Sequence, residues 1–235
     1  MSKQKTQTMP AAFADEHLEK WKAFKEAVEK NSRHYPIITV CMEPGSGGSM
    51  VAETVAGSLG FDFFHRKLLE VMSITAKVDK KVLQRLEKER LSGMEDVVSQ
   101  MLSDRYLYPG LYLEYLEKVI GAISRRGSAV VVGRGANFIL PAEDRLSVMI
   151  VAPRELRIER VSQQFEILPE DAEKRIVNRQ KKRAAFVKKT FQKDISDPVY
   201  YDLTINTGSM SIEEAARLVC GAWFYKFFYP SASPT

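Results

Sequence analysis

A buried strand that runs into a glycine-rich turn and then into an amphipathic helix leaves this chain few folds to adopt. The strand is the apolar, β-branched run IITVCM at residues 37–42, typical of a parallel strand covered on both faces. The turn covers residues 43–48, and apolar residues then recur at helical spacing until Gly60, a favourable helix stop. Because glycines let backbone N–H groups turn inward, and a helix start adds partial positive charge, this order predicts a phosphate-binding loop at residues 42–49.

The loop matches the nucleotide-binding pattern G-x-x-x-x-G-K-[ST] only in part. Gly47 stands at its second glycine, and Ser49 at its magnesium-binding hydroxyl. Met42 replaces the first glycine, and Gly48 replaces the lysine that normally reaches the β- and γ-phosphates. We predict a nucleoside triphosphate and Mg²⁺ at this loop, with an ordinary strand-to-helix turn as the alternative. The predicted nucleotide-binding residues are Glu43, Gly45, Ser46, Gly47, Gly48, Ser49 and Met50, and Ser49 is also the predicted metal ligand.

Further apolar runs of strand length recur along the chain and are separated by helical patterns. They are AVVV at 129–132, LSVMIV at 146–151, LTIN at 203–206 and a short run at 61–64. Strands that alternate with helices predict a parallel α/β sheet. Ser211 and Glu214 have the spacing of a capping box, which predicts the start of a last helix. Residues 11–31 have a helical pattern ahead of the first strand.

Composition narrows the class of protein. No run of 18 apolar residues occurs and the N-terminus lacks an apolar signal-like stretch, so we predict a cytoplasmic protein without a membrane span. Cys41 and Cys220 stand in apolar runs and are predicted to be buried thiols. No metal-ligand spacing of cysteine and histidine is present.

Positive charge is concentrated in one segment. The net charge is +5 with a pI near 9.1, which suits an anionic ligand. Residues 175–189 hold a dense group of arginines and lysines, and on a helix Arg175, Arg179 and Arg183 would share one face. The alternatives are a solvated helix face and a nucleic-acid surface, and the acidic residues nearby argue against the second.

Three segments of the chain together resemble the cytidylate kinase-like family, a branch of the nucleoside monophosphate kinases. They are MEPGSGGSMVAETVAGSLGFDFFHRKLL, VVVGRGANFILP and YYDLTINTGSMSIEEAARLV, and the resemblance covers about residues 36–218. It implies a P-loop NTPase fold, with a five-stranded parallel sheet flanked by helices. It also implies a domain at 36–229 with a helical acceptor-side insert about 78–126 and a lid about 165–196. An N-terminal helical extension at 1–35 would precede it, and a frayed tail at 230–235 would follow.

The resemblance implies transfer of the γ-phosphoryl group of ATP to a nucleoside monophosphate such as CMP, with Mg²⁺. Arg179 and Arg183 would be catalytic lid residues, with Lys182 beside them, and closure of the lid would supply the charge that Gly48 lacks. Arg160 would bind nucleotide at the start of the lid. The expected acceptor-binding residues are His65, Arg134 and Asn137.

The chain also departs from the family pattern. Gly135, Gln180 and His65 stand where aspartate is usual, and Ser49 stands where relatives often have arginine. These departures keep a second hypothesis open, a catalytically weak or inactive nucleotide-binding regulatory protein. The aromatic residues near the C-terminus predict core packing, with a homodimer contact as the alternative; they are Trp223, Phe224, Tyr225, Phe227 and Phe228.

Overall fold

The fold is built on one parallel sheet. The computed structural model describes residues 35–65, residue 68 and residues 109–228. The strands are β1 (Ile37–Met42), β2 (Asp62–Phe64), β3 (Ala129–Val132), β4 (Arg145–Val151) and β5 (Leu203–Asn206). They follow the order β2-β3-β1-β4-β5, and every neighbouring pair is parallel. The predicted five-stranded parallel sheet is therefore confirmed.

Helices connect and cover the strands. They are α1 (Gly48–Leu59), α2 (Pro109–Arg126), α3 (Ala136–Ile139), α4 (Arg154–Phe165), α5 (Pro169–Phe191) and α6 (Ile212–Phe228). The basic segment belongs to α5, a single helix of 23 residues within the predicted lid. The predicted insert is described only from residue 109 onward. The predicted extension, apart from Tyr35, and the predicted tail lie outside the described residues.

Two predicted helix ends are confirmed at the level of single hydrogen bonds. Gly60 ends α1 in the left-handed conformation, with φ of 66°, which glycine adopts without a steric penalty. At the start of α6 the backbone N–H of Ser211 donates to Glu214 Oε2 at 2.8 Å. The backbone N–H of Glu214 donates to Ser211 Oγ at 3.2 Å in return. This reciprocal pair is the predicted capping box.

The C-terminal helix closes the core on one side. Trp223 is fully buried, and its indole N–H donates to the carbonyl oxygen of Pro36 at 2.8 Å. Its ring meets Phe61 edge-on, with centroids 5.1 Å apart. Cys41 and Cys220 are buried free thiols, as predicted. Trp223 thus has the predicted core role, whereas the homodimer contact stays a prediction.

Within the described part of the chain, no helix combines the length and apolarity that crossing a membrane requires.

Candidate active site

The glycine-rich loop leaves the carboxyl end of β1, next to the centre of the sheet. Gly45 and Gly47 both have a left-handed backbone, with φ of 84° and 78°. A Cβ atom on Gly45 would lie 2.7 Å from the carbonyl oxygen of Arg157, so the loop lies directly on α4. At this position glycine is required both for its backbone conformation and for space.

The loop ends at the start of α1. Gly47 is the N-cap, and no side chain caps this helix end. The first N–H groups of a helix have no partner within the helix and carry partial positive charge, which favours a phosphate. The geometry therefore suits an anion at the position the sequence predicted.

Thr207 and Arg160 support the loop from the β5 side. Thr207 Oγ1 donates to the carbonyl oxygen of Ser46 at 2.6 Å. Arg160 donates to Thr207 Oγ1 at 3.0 Å and to its carbonyl oxygen at 3.1 Å. Arg160 thus supports the loop through Thr207, and its binding of nucleotide stays a prediction. Sequence reasoning missed Thr207, although its position directly after β5 was a usable signal.

Glu43 anchors the other end of the loop. Its Oε2 accepts from the backbone N–H of Ala152 at 3.3 Å and lies 3.5 Å from Nε of the buried Arg157. Arg157 also donates from Nη1 to Gln180 Oε1 at 3.4 Å. Arg157, which sequence reasoning missed, therefore connects the loop to α5. The carboxylate of Glu43 positions the loop in this conformation.

The remaining loop residues differ in exposure. Ser46 is fully buried, whereas Met50 is 59% exposed. Ser49 Oγ donates to the sulfur of Met42 at 3.5 Å. In phosphate-binding loops a serine or threonine hydroxyl at this position binds Mg²⁺. The oxygen of Ser49 keeps lone pairs for such a contact, and its role as a metal ligand stays a prediction. Among the described residues, no group of three histidine, cysteine or acidic side chains could hold a metal ion by itself.

A cavity of about 130 Å³ opens beside the loop at the carboxyl ends of β1 and β3. His65, Arg134, Asn137 and Arg183 all line it. The three predicted acceptor-binding residues are thus in one place, together with one of the predicted catalytic residues. Asn137 is buried, and its Nδ2 has no hydrogen-bond partner among the described residues. A buried donor of this kind favours a ligand with an acceptor atom.

Arg134 follows β3 in a tight turn. Gly133, Arg134 and Gly135 all have positive φ, at 74°, 58° and 68°. A non-glycine residue in this region is uncommon and costs free energy. The turn directs the chain from the sheet into α3 and holds Arg134 at the cavity wall.

Arg183 contacts the loop and also lines the cavity. Its Nη1 donates to the carbonyl oxygen of Met42 at 2.6 Å. Burial lowers the pKa of its guanidinium; the Cys41 thiol opposes this shift, and the positive charges of Arg179 and Arg134 add to it. Arginine stays protonated in proteins, so these groups concentrate positive charge at the cavity, where an anion would relieve their repulsion.

The three arginines of the predicted stripe do not all line the cavity. The guanidinium of Arg175 lies 4.0 Å from the ring centroid of Phe165, and that of Arg179 lies 5.9 Å from the same centroid. Only Arg183 of the stripe lines the cavity. Lys182 is exposed and does not line it either. Helical spacing predicted a shared face, but Arg175 and Arg179 lie toward Phe165 and only Arg183 reaches the cavity.

An aromatic ring occupies the space next to Gly135. A Cβ atom on Gly135 would lie 2.9 Å from Cζ of Phe191 and closer still to Cε2. Phe191 stacks on Phe138 with centroids 5.3 Å apart. The aspartate that the family resemblance leads one to expect at 135 would therefore collide with Phe191.

Comparison with known proteins agrees with this architecture. Residues 37–209 match the sequence model of the Cytidylate kinase-like family. A cytidylate kinase from Methanopyrus kandleri is 26% identical over 195 residues, which cover 79% of this chain and 92% of the relative. A cytidylate kinase from Pyrococcus horikoshii is 26% identical over 186 residues, covering 79% and 87%. The crystal structure of an uncharacterized protein from Eubacterium ventriosum has a TM-score of 0.58 at 19% identity, covering 79% of this chain and 96% of the other, and shows a shared fold.

Proposed function

Because the chain belongs to the cytidylate kinase-like family, we propose that it is a phosphotransferase that moves the γ-phosphoryl group of ATP to a nucleoside monophosphate. CMP is the acceptor that the names of the curated relatives favour. The observation that carries the proposal is the cavity beside the glycine-rich loop, lined by Arg134 and Arg183. The cavity offers a site for one anion, and the start of α1 beside it suits a second anion.

The reaction needs positioning more than covalent chemistry. An oxygen of the acceptor phosphate attacks the γ-phosphorus, the bond to the β–γ bridging oxygen breaks, and ADP leaves with the electron pair. Charge on the transferring group is spread over its oxygens, so fixed cations are the main requirement. A Mg²⁺ ion held by the phosphates and the hydroxyl of Ser49 would neutralise part of that charge.

The loop and the arginines have separate roles in this proposal. The loop backbone and the start of α1 bind the β- and γ-phosphates of ATP. Arg134 binds the acceptor phosphate through its planar fork of donors. Arg183, which donates to the loop at Met42 and lines the acceptor cavity, stands between the two phosphates and supplies charge to the transferring group. Arg179 adds to the local positive charge.

A second candidate is a nucleotide-binding regulatory protein with weak or no turnover. Gly48 supplies no charge where lysine is usual, and Phe191 fills the space where an aspartate at 135 would select the acceptor. Both changes reduce the polar contacts available in the transition state while leaving the anion sites in place. A cytoplasmic location and a homodimer stay predictions.

The two candidates are separated by a turnover assay with purified protein. ATP, Mg²⁺ and each of CMP, UMP, AMP, GMP and dCMP are supplied in turn, and formation of the nucleoside diphosphate is measured. We expect transfer to at least one pyrimidine monophosphate. Binding of ATP in calorimetry with no transfer to any acceptor would refute the kinase proposal and favour the regulatory protein.

A further inference from the structure

The two positions at which the loop departs most from the nucleotide-binding pattern, Met42 and Gly48, lie against each other. A Cβ atom on Gly48 would lie 2.5 Å from Cβ of Met42 and 2.9 Å from its sulfur. It would also lie 3.2 Å from Cβ of Ile150 on β4. Protein interiors are close-packed, so overlaps of this size force neighbouring groups to move. Because Cβ of Met42 moves only with its backbone, a side chain at 48 requires β1 or α1 to shift.

We propose that Met42 and Gly48 form a reciprocal pair that excludes the phosphate-binding lysine from this loop, and that Arg183 carries the charge in its place. The inference deepens the proposed function and rests on it for the role of Arg183. The glycine at 48 is then a consequence of the methionine at 42, and restoring the lysine requires both positions to change.

Met42 contributes both to the exclusion of a lysine at 48 and to the placement of Arg183. Its side chain occupies the space that a residue at 48 would need. Its carbonyl oxygen accepts the 2.6 Å hydrogen bond from Arg183. The residue that keeps a cation out of the loop therefore also positions a cation from α5. In a loop of the usual pattern the cation is part of the loop; here it belongs to the helix of the predicted lid, so the position of α5 controls the charge at the phosphates.

The steric part of the proposal is tested by thermal unfolding, without any ligand. Gly48 and Gly57 both lie in α1 without a left-handed backbone, and a Cβ on Gly57 meets nothing within 4 Å. In a helix, alanine is normally more stable than glycine by about 0.5–1 kcal/mol, so Gly57→Ala should raise Tm by roughly 2 °C. Gly48→Ala should instead lower Tm by several degrees.

Two variants at position 42 test whether Met42 is the residue that a side chain at 48 would overlap. Met42→Gly removes both overlapping atoms, so adding Gly48→Ala in that background should lower Tm by less than about 1 °C. Met42→Ala keeps Cβ, so the penalty of Gly48→Ala should persist there. If Gly48→Ala raises Tm as Gly57→Ala does, or if its penalty is the same in all three backgrounds, the reciprocal pair is refuted.

The charge part is tested by binding and turnover. The double variant M42G/G48K should bind ATP with Mg²⁺ at least tenfold more tightly than M42G, as a gained charge-assisted hydrogen bond implies. Arg183→Ala should reduce turnover at least 100-fold in the parent chain but less than tenfold in M42G/G48K. Equal losses in both backgrounds would overturn the substitution of Arg183 for lysine.

These results separate the inference from the proposed function. If the parent chain phosphorylates no monophosphate, the proposed function falls, and the role of Arg183 in transfer falls with it. The Met42–Gly48 pair is still decided by the Tm values, and the exclusion of lysine by the ATP affinities of M42G/G48K and M42G.

Discussion

The glycine-rich loop and the cavity beside it are built from different kinds of groups, mainly backbone in the loop and side chains in the cavity. On the glycine-rich loop, backbone groups are prominent: Gly45 lies on the carbonyl of Arg157, and the carbonyl of Ser46 accepts from Thr207. In the cavity, side chains of His65, Arg134, Asn137 and Arg183 surround open space. A phosphate chain can be held by any correctly turned backbone, whereas an acceptor must be recognised by particular functional groups. The loop is therefore the more predictable half, and in the proposed function the cavity would hold the specificity for the acceptor.

The loop and the cavity nevertheless depart from the expected pattern in the same way. On the loop a glycine at 48 faces the side chain of Met42, and at the cavity a glycine at 135 faces the ring of Phe191. In each case an apolar side chain from elsewhere fills the space in which the pattern leads one to expect a charged residue. The site thus lacks the expected lysine at 48 and the expected aspartate at 135, and only the first of these absences removes a positive charge.

The largest expected effect comes from the arginines between the two sides. Replacing Arg179 and Arg183 together by alanine should reduce turnover by at least about 100-fold, the scale for loss of transition-state charge stabilisation. ATP affinity should stay within a few-fold, because the loop backbone still binds the phosphates and Arg183 contributes its charge mainly to the transferring group in the transition state. The measurements are steady-state kinetics and ATP calorimetry.

Arg175→Ala is the matched control, since Arg175 lies on the same helix but packs over Phe165. It should leave turnover within about twofold. Undiminished turnover in the double variant would show that α5 contributes no charge to transfer.

A change confined to the cavity should affect only the acceptor. Arg134→Ala removes one charge-assisted contact to phosphate, worth roughly 1.5–3 kcal/mol, so monophosphate binding should weaken about 10–150-fold. ATP affinity should hardly change. Arg125→Ala, at the exposed end of α2, is the control and should affect neither ligand. Equal losses for both ligands would mean that Arg134 supports the fold.

The difference in packing between the loop and the cavity can be tested with one glycine from each. Gly45→Ala adds a Cβ only 2.7 Å from a backbone oxygen, whereas a Cβ on Gly133 meets nothing within 4 Å. Both glycines have positive φ, so alanine costs about 1–2 kcal/mol of conformational strain at each. Gly45→Ala should therefore lower the free energy of unfolding by at least about 1 kcal/mol more than Gly133→Ala. Similar losses in chemical denaturation would contradict the close contact of the loop with α4.

The smallest expected effect on ligand binding concerns the two buried thiols, Cys41 and Cys220. Burial raises the pKa of the Cys220 thiol to about 12, and it also raises the pKa of Cys41. The folded protein keeps these protons above pH 9, where the unfolded chain releases them, so the free energy of unfolding should decline as pH rises from about 9 toward 12. Denaturant unfolding at pH 8 and pH 10 measures the decline, and Cys220→Ala should reduce it. An unchanged slope in that variant would assign the decline to other groups.

Elements whose signal is local were predictable from the sequence. The bounds of β1 and β3 agree with the apolar runs, because a strand buried on both faces needs a continuous apolar segment. The bounds of β5 agree as well, although this edge strand buries only Ile205 fully. The same reasoning applies to Gly60 and to the Ser211–Glu214 capping box, which depend on residues a few positions apart. The convergence of His65, Arg134 and Asn137 followed from a family resemblance, since no local pattern connects residues so far apart in the chain.

Contacts between distant elements decided the rest. Thr207 is 161 residues from Ser46, and Arg183 is 141 residues from Met42, so no spacing rule could pair them. Lys182 shared the charge pattern of its neighbours but faces solvent, because the packing of α5 on the sheet sets which face is buried. Local sequence thus determined the strands, the caps and the glycine-rich loop through conformational preference and burial. Only tertiary packing decided which side chain fills the space beside each glycine, and therefore which arginine reaches the site.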